Sequence, residues 1–313
     1  MASLAHQSPS LPGIKARPLT SRRQGFFPTI IEFGLFLAAA SSVVITLGIV
    51  GTLIYESAGF FKHVSIVEFL TSLEWTPLFT PPSHGILPLI AGTMTTTAVA
   101  LCVAIPVGTI CAVWLSEYCP HRLREFVKPA LELLSAVPTV VYGYFALLFV
   151  TPLLQKIMPD LPGFNMLGAG LVMGIMIVPY IASLSEDAMR AVPQMLREGA
   201  YAMGATRVQT AWKVIFPAAL SGITAAYILG ISRALGETMV VAIAAGMQPT
   251  FTVDPRNQAA TITAFIVQAS SGDQPHGTLG YQSIFAAGLT LVLITLGFNI
   301  AGYILRRKYR EAY

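Results

Sequence analysis

Charge is the scarcest commodity in this chain. Asp, Glu, Lys and Arg make up 11% of its 313 residues, against 54% hydrophobic residues and a mean hydropathy of +0.67. Soluble domains carry roughly 25% charged residues, so there is too little polar surface here to coat a water-soluble globule of this length. Uncharged stretches run over 33–55, 75–116, 133–155, 161–185 and 274–305, and a membrane-spanning helix needs about 20 mostly apolar residues. Lipid is therefore the solvent for much of the chain. The runs are continuous, which excludes a porin-type barrel, whose strands alternate apolar and polar residues in short segments.

Other absences narrow the chemistry. Cys102, Cys111 and Cys119 have no redox or metal spacing, so they imply no disulfide framework and read as buried small apolar residues. His6, His63, His84, His121 and His276 are scattered without ligand spacing, so no metal site, cofactor or catalytic cluster is expected. No repeat of 20–50 residues is visible. The first 25 residues are polar and rich in Pro and Ser, with no short apolar core before a cleavage site. They read as a disordered tail, with no removable signal peptide.

What is present reads as an all-α integral membrane protein: a helical bundle of about six transmembrane helices over residues 26–313. The spans are expected at about 30–54, 86–115, 131–155, 165–185, 217–246 and 283–305. Of the 19 Lys and Arg residues, Lys62, Lys156 and Arg256 fall in one set of loops and Arg233 falls in a span. The others all lie on the opposite side, which makes that side, with both termini, cytoplasmic. The same juxtamembrane cations explain the net charge of +4 without nucleic acid.

Two loops stand out. In the outer loop 56–85, Phe60, Phe61, Val64, Val67, Leu70 and Leu73 recur at helical spacing, which predicts an interfacial helix with Trp75 as its anchor. The inner loop 186–216 reads as two short helices hinged at Gly204, a knob shaped for a protein partner.

That inner loop carries a spaced motif. Glu198-Gly199-Ala200 is followed by Gly204 and then by Val214-Ile215-Phe216-Pro217. It resembles the Glu-Ala-Ala loop of ABC-importer permeases at every spacing. Gly199 stands for the usual first alanine, Val214 for isoleucine and Phe216 for leucine. The segments GILPLIAGTMTTTAVALCVAIPVG (85–108), ELLSAVPTVVYGYFAL (132–147), RALGETMVV (233–241) and TITAFIVQASSGDQPHG (261–277) are similar to the phosphate-specific ABC importer permease family, PstC-type subunit.

The resemblance implies the MetI-like permease fold in a bacterial inner membrane. It also implies a PstA-like second permease, a PstB-like ATP-binding subunit dimer inside and a PstS-like phosphate-binding protein outside, moving inorganic phosphate. Glu198 to Gly204 would then form the helix seated in the ATPase, with Val214 and Pro217 completing the motif. The chain contains no G-x-x-x-x-G-K-[ST] loop, so this subunit is a transport component without its own ATPase site.

Within the fifth span lie Arg233 and Glu237. A charge at mid-bilayer costs about 2.5–3.5 kcal/mol on insertion scales, so two of them need a reason. Residues i and i+4 are neighbours on a helix, which predicts an ion pair on one face. Either this face lines the phosphate path, with the guanidinium binding the oxyanion, or the pair locks two helices. Pro138 to Gly143, with Thr139 and Tyr142, invites a kink beside the path or serves helix packing. Glu132, with Arg124 and Lys128 nearby, reads as a surface ion pair. Composition leaves open another oxyanion, such as molybdate or sulfate. An ion-coupled secondary transporter is disfavoured because only one deep carboxylate is present.

Overall fold

The computed structural model describes residues 26–272 and 274–308, and every regular element in it is helical. The tail over residues 1–25 lies outside the described residues. The chain forms two compact units, Met1–Gly51 and Thr52–Tyr313. The described part of the first unit belongs to one helix, α1 (Phe26–Phe60). Its side chains from Phe33 to Gly51 are apolar apart from Ser41, Ser42 and Thr46, and Phe33, Phe36, Val44 and Leu47 among them are exposed. A helix apolar on nearly every side suits lipid rather than water.

In the second unit, α2 (Ile66–Thr71) starts at Ser65, whose hydroxyl oxygen accepts from the Val67 N–H at 3.3 Å. It is shorter than the expected interfacial helix, because a turn over 61–65 separates it from α1 and resets the helical phase. Phe60, Val64 and Phe69 therefore face inward, whereas Val67, Leu70 and Leu73 face out. Trp75 is not an interfacial anchor. It is 1% exposed, packed edge-on against Phe69 and Phe265, and bridged to His84 by backbone pairing.

α3 (Leu87–Val113) opens with Pro88, where a missing N–H costs nothing, and ends in a π-turn over Trp114–Tyr118. α4 (His121–Ala136) has no buried residue and stops before Pro138. Proline disfavours helical backbone in the residue before it, and Val137 is extended at φ −62°, ψ 132°. The chain turns by 85° there into α5 (Thr139–Phe145), a π-turn (Ala146–Val150) and α6 (Thr151–Gln155). The expected straight span 131–155 is thus two arms joined at Pro138. The Tyr142 hydroxyl ties them by donating to the Leu134 carbonyl at 2.7 Å.

α7 (Met166–Arg190) is the central helix of this unit. It presents Val172, Met173, Met176, Ile177 and Ile181 to a core shared with Ala100, Ala104, Val240 and Val241. Small residues let α3 and α7 approach closely. A methyl group added at Gly174 would meet the Ala100 carbonyl oxygen at 2.7 Å, and one at Gly170 would meet Val99 at 2.7 Å. Association within lipid depends on such contacts, because apolar surface gains little by leaving a solvent that is itself apolar.

Next come α8 (Gln194–Ala202), α9 (Arg207–Thr210), a π-turn (Ala211–Ile215) and α10 (Phe216–Ala218). A 74° bend separates this segment from α11 (Leu220–Leu235). The expected fifth span 217–246 is not continuous. α11 stops at Gly236, and α12 (Met239–Ala244) begins after Thr238. α13 (Ile262–Ser270) and α14 (Leu279–Lys308) complete the order. Among the described residues, four helices are long and apolar enough to cross a membrane, or up to six when each bent pair counts as one span.

Candidate functional site

Arg233 and Glu237 are separated by the helix break, and no ion pair joins them among the described residues. The expected i,i+4 geometry requires helix through Gly236, and the helix ends one residue earlier. Glu237 turns forward instead. Its Oε1 accepts from the N–H groups of Met239 at 3.1 Å and Val240 at 3.3 Å, so it satisfies orphan donors at the start of α12. Its backbone carbonyl accepts from the Thr263 hydroxyl at 2.7 Å. The residue is 8% exposed, and the two bonds from α12 hold its carboxylate in place.

Arg233 stacks on the Tyr180 ring of α7, with 4.6 Å from the guanidinium carbon to the ring centroid. Its Nε is buried and has no hydrogen-bond partner. The break thus leaves an arginine held by an aromatic face with donor capacity unspent. Thr139, half-buried, begins α5 one turn before Tyr142.

Beside Tyr180, a cavity of about 230 Å³ is lined by Glu132, Ser135, Pro179, Ser183 and Leu184. Among the described residues Glu132 forms no ion pair, contrary to expectation. Its carboxylate accepts from the Ser183 hydroxyl at 3.4 Å, because Arg124 and Lys128 point to α7 instead. Of the threonines in GTMTTTA, Thr93 and Thr96 donate back to carbonyls in their own helix. Cys102 is exposed, unlike the buried thiol expected, and Cys111 and Cys119 are half-buried.

The motif residues of the inner loop lie on and around α8. Glu198 and Gly199 are exposed and Ala200 is half-buried. Gly204 takes φ +81°, a conformation glycine adopts without steric cost, and lets the chain reverse after α8. Thr206 and Gln209 then form a reciprocal cap for α9. Val214 packs against the cluster of Ala112, Val113, Met189, Val192 and Ile215, while Pro217 sits exposed in α10.

Two buried charge nodes escape sequence reasoning. Glu186, 1% exposed, faces Lys128 at 2.8 Å and Arg124 and Arg190 at 3.7 Å each, and Lys128 also binds Asp187. Arg197 on α8 reaches Glu117 at 3.2 Å. The i,i+4 spacing of Arg124 and Lys128 on an amphipathic helix is the one signal for the first node. The second pairs residues eighty positions apart, and no local pattern reports it.

The family model described as the binding-protein-dependent transport system inner membrane component matches residues 104–311. "Phosphate transport system permease protein PstC" of Mesorhizobium japonicum is 34% identical, over 95% of this chain and 96% of its own length. "Probable ABC transporter permease protein YqgH" of Bacillus subtilis is 34% identical, over 84% of each chain. The crystal structure of a bacterial ABC transporter involved in alginate import shares the fold. Its TM-score is 0.62 at 17% identity, over 91% of this chain and 99% of that one. The hinged loop with the spaced motif falls within the residues matched by the family model. The chain belongs to the binding-protein-dependent transport system inner membrane components: it is a multi-pass ABC-importer permease of the PstC-related group, separate from the ATPase subunit.

Proposed function

We propose that this permease, with a PstA-like second permease, forms the path by which inorganic phosphate enters the cytoplasm. A PstB-like ATP-binding subunit dimer drives it, and a PstS-like phosphate-binding protein delivers to its outer face. Both termini and α8 lie on the cytoplasmic side, where α8 with Glu198, Gly199, Ala200 and Gly204 seats in the ATPase. The phosphate permeases among its relatives, similar over most of the chain, support this substrate.

The single observation that carries the site is Arg233: in the last turn of α11, stacked on Tyr180, with a buried Nε that lacks a partner. Guanidinium binds oxyanions through parallel charge-assisted hydrogen bonds, and an anion arriving there supplies the missing acceptor. Glu237 takes its part in the path by fixing the break that separates it from the arginine. Because Glu237 spends its carboxylate on α12, Arg233 is left free for the anion. Tyr142 and Thr139, on the arm after Pro138, border the same region.

The test reconstitutes the complete transporter in liposomes and follows ATP-dependent uptake of phosphate, sulfate and molybdate. Arg233→Gln is expected to lower phosphate uptake by at least about tenfold, the worth of a lost charge-assisted bond, while the complex assembles normally. Normal uptake by Arg233→Gln removes this arginine from the path. Equal uptake of sulfate or molybdate by the unmodified protein overturns the phosphate assignment.

A further inference from the structure

We infer that Arg197 is a positioning residue, a three-point latch that makes α8 move as one piece with the inner ends of α3 and α7. This rests on the proposed reading of α8 as the ATPase-facing helix. No residue of α8 is fully buried, so the helix is not held by a core of its own. Met195, Glu198 and Met203 face away from the protein. A helix pushed from outside passes on its displacement only through its fastenings.

Among the described residues, every side-chain hydrogen bond that α8 makes to another part of the chain comes from Arg197. One guanidinium nitrogen donates to the Val192 carbonyl at 2.6 Å. The other donates to the Met189 carbonyl at 2.8 Å and to Glu117 Oε1 at 3.2 Å. Met189 lies in the last turn of α7 and Val192 just beyond its C-cap, Ala191, where the helix dipole favours a cation. Glu117 lies in the π-turn that ends α3, its Oε1 also held by the Ser116 hydroxyl at 2.8 Å. Both partners of this ion pair are largely buried, with 12% and 5% side-chain exposure.

A planar fork with donors in fixed directions accepts one orientation of three acceptors. An apolar contact, such as Leu196 against the Val192 and Ile215 cluster, permits sliding. Arg197 therefore supplies the rigidity that this packing lacks. One turn earlier on α7, Glu186 fastens the same helix end to Arg124 and Lys128 of α4. α4 leads through Pro138 to the arm that Tyr142 ties back to it, and α7 itself carries Tyr180, on which Arg233 stacks at 4.6 Å. A displacement held at Arg197 thus reaches α7 and α4, and with them the arm that borders the arginine.

The experiment measures phosphate uptake and ATP hydrolysis in the same proteoliposomes, using the complete transporter with its binding protein. Arg197→Ala is expected to raise ATP consumed per phosphate moved by about tenfold, within the usual range of coupling between sites. Arg197→Lys, with one point charge in place of the fork, is expected to fall between. A residue that only stabilises the fold would lower both activities together, so an unchanged ratio overturns the latch. If Arg197→Ala fails to assemble, Glu117→Gln decides. It keeps both carbonyl contacts and the side-chain shape, and the ratio must still rise, by about threefold; no rise overturns the latch. In parallel, Met203→Cys carrying a benzophenone is photo-crosslinked in the complex. A crosslink to the ATPase subunit with an unchanged ratio rejects the latch alone. Absence of that crosslink rejects the reading of α8 on which the latch rests.

Discussion

A methyl group added at Gly174 would come within 2.7 Å of the Ala100 carbonyl oxygen, a backbone atom on the facing helix. It cannot be accommodated by rotating a side chain, so α3 and α7 must part. Gly174→Ala is expected to destabilise the protein by about 1–3 kcal/mol, as other overpacked cores are, seen as a lower unfolding midpoint in detergent. Gly199 is the internal control. An added methyl group there meets nothing within 4 Å, and alanine is favoured over glycine within a helix by about 1 kcal/mol. Gly199→Ala is expected to leave the midpoint unchanged or raise it slightly. If both substitutions shift the midpoint alike, close helix approach is not what Gly174 provides.

His84 adds a pH dependence on a different part of the chain. Burial depresses its pKa below the ordinary 6.5, and the Glu68 carboxylate at 3.9 Å only partly offsets this. The imidazole packs edge-on to Phe60, and its Nε2 has no partner. Because the folded loop binds a proton less readily than the unfolded one, its stability is fully present above pH 6.5 and is lost as pH falls toward the depressed value. Trp75, bridged to His84, reports this when Trp114 and Trp212 are replaced by Phe. Its emission is expected to shift as the sample is taken from about pH 8 to about pH 5, the range in which histidine titrates. With His84→Gln the emission is expected to stay flat. A shift that persists in His84→Gln assigns the transition to another group.

Among the helices, those legible in the sequence are the ones whose uncharged runs are crossed by a single unbroken helix. The runs around 33–55, 75–116, 161–185 and 274–305 overlap α1, α3, α7 and α14 over most of their length. Hydropathy failed where backbone chemistry interrupts an apolar run. At Val137-Pro138 the signal was in the sequence as a proline, and the 85° turn is larger than the kink it suggested. At Gly236 the signal was weaker, since glycine inside an apolar run is compatible with helix. The break there is held by tertiary partners, Glu237 capping α12 and Thr263 binding the Glu237 carbonyl. That is why the Arg233–Glu237 pair, sound as helix geometry, does not form, and why the arginine is left with Tyr180. The motif of the inner loop was readable residue by residue. The Arg197–Glu117 contact that fastens it was not, because periodicity carries no information about partners so distant along the chain.

At the scale of the whole molecule, exposed apolar side chains occur both in the spans and outside them. Phe79, 70% exposed, lies in the turn between α2 and α3. Met203, 89% exposed, sits at the end of α8. Neither lies in a helix long and apolar enough to span, so lipid does not account for them, and the positive-inside rule predicts that they lie on opposite sides of the membrane. In a background with Cys102, Cys111 and Cys119 replaced, a membrane-impermeant maleimide is expected to label Phe79→Cys from the outside of sealed cells. Met203→Cys is expected to react only after the membrane is opened. Labelling of Met203→Cys in sealed cells would place α8 where no cytoplasmic ATPase could grip it. The charge asymmetry makes that outcome costly, since it would carry the basic flanks of α4, α8 and α14 across the bilayer with it. Reversal would also bring Lys62, Lys156 and Arg256 inside in exchange, too few to orient the chain. The labelling pattern therefore decides sidedness independently of whether phosphate is moved.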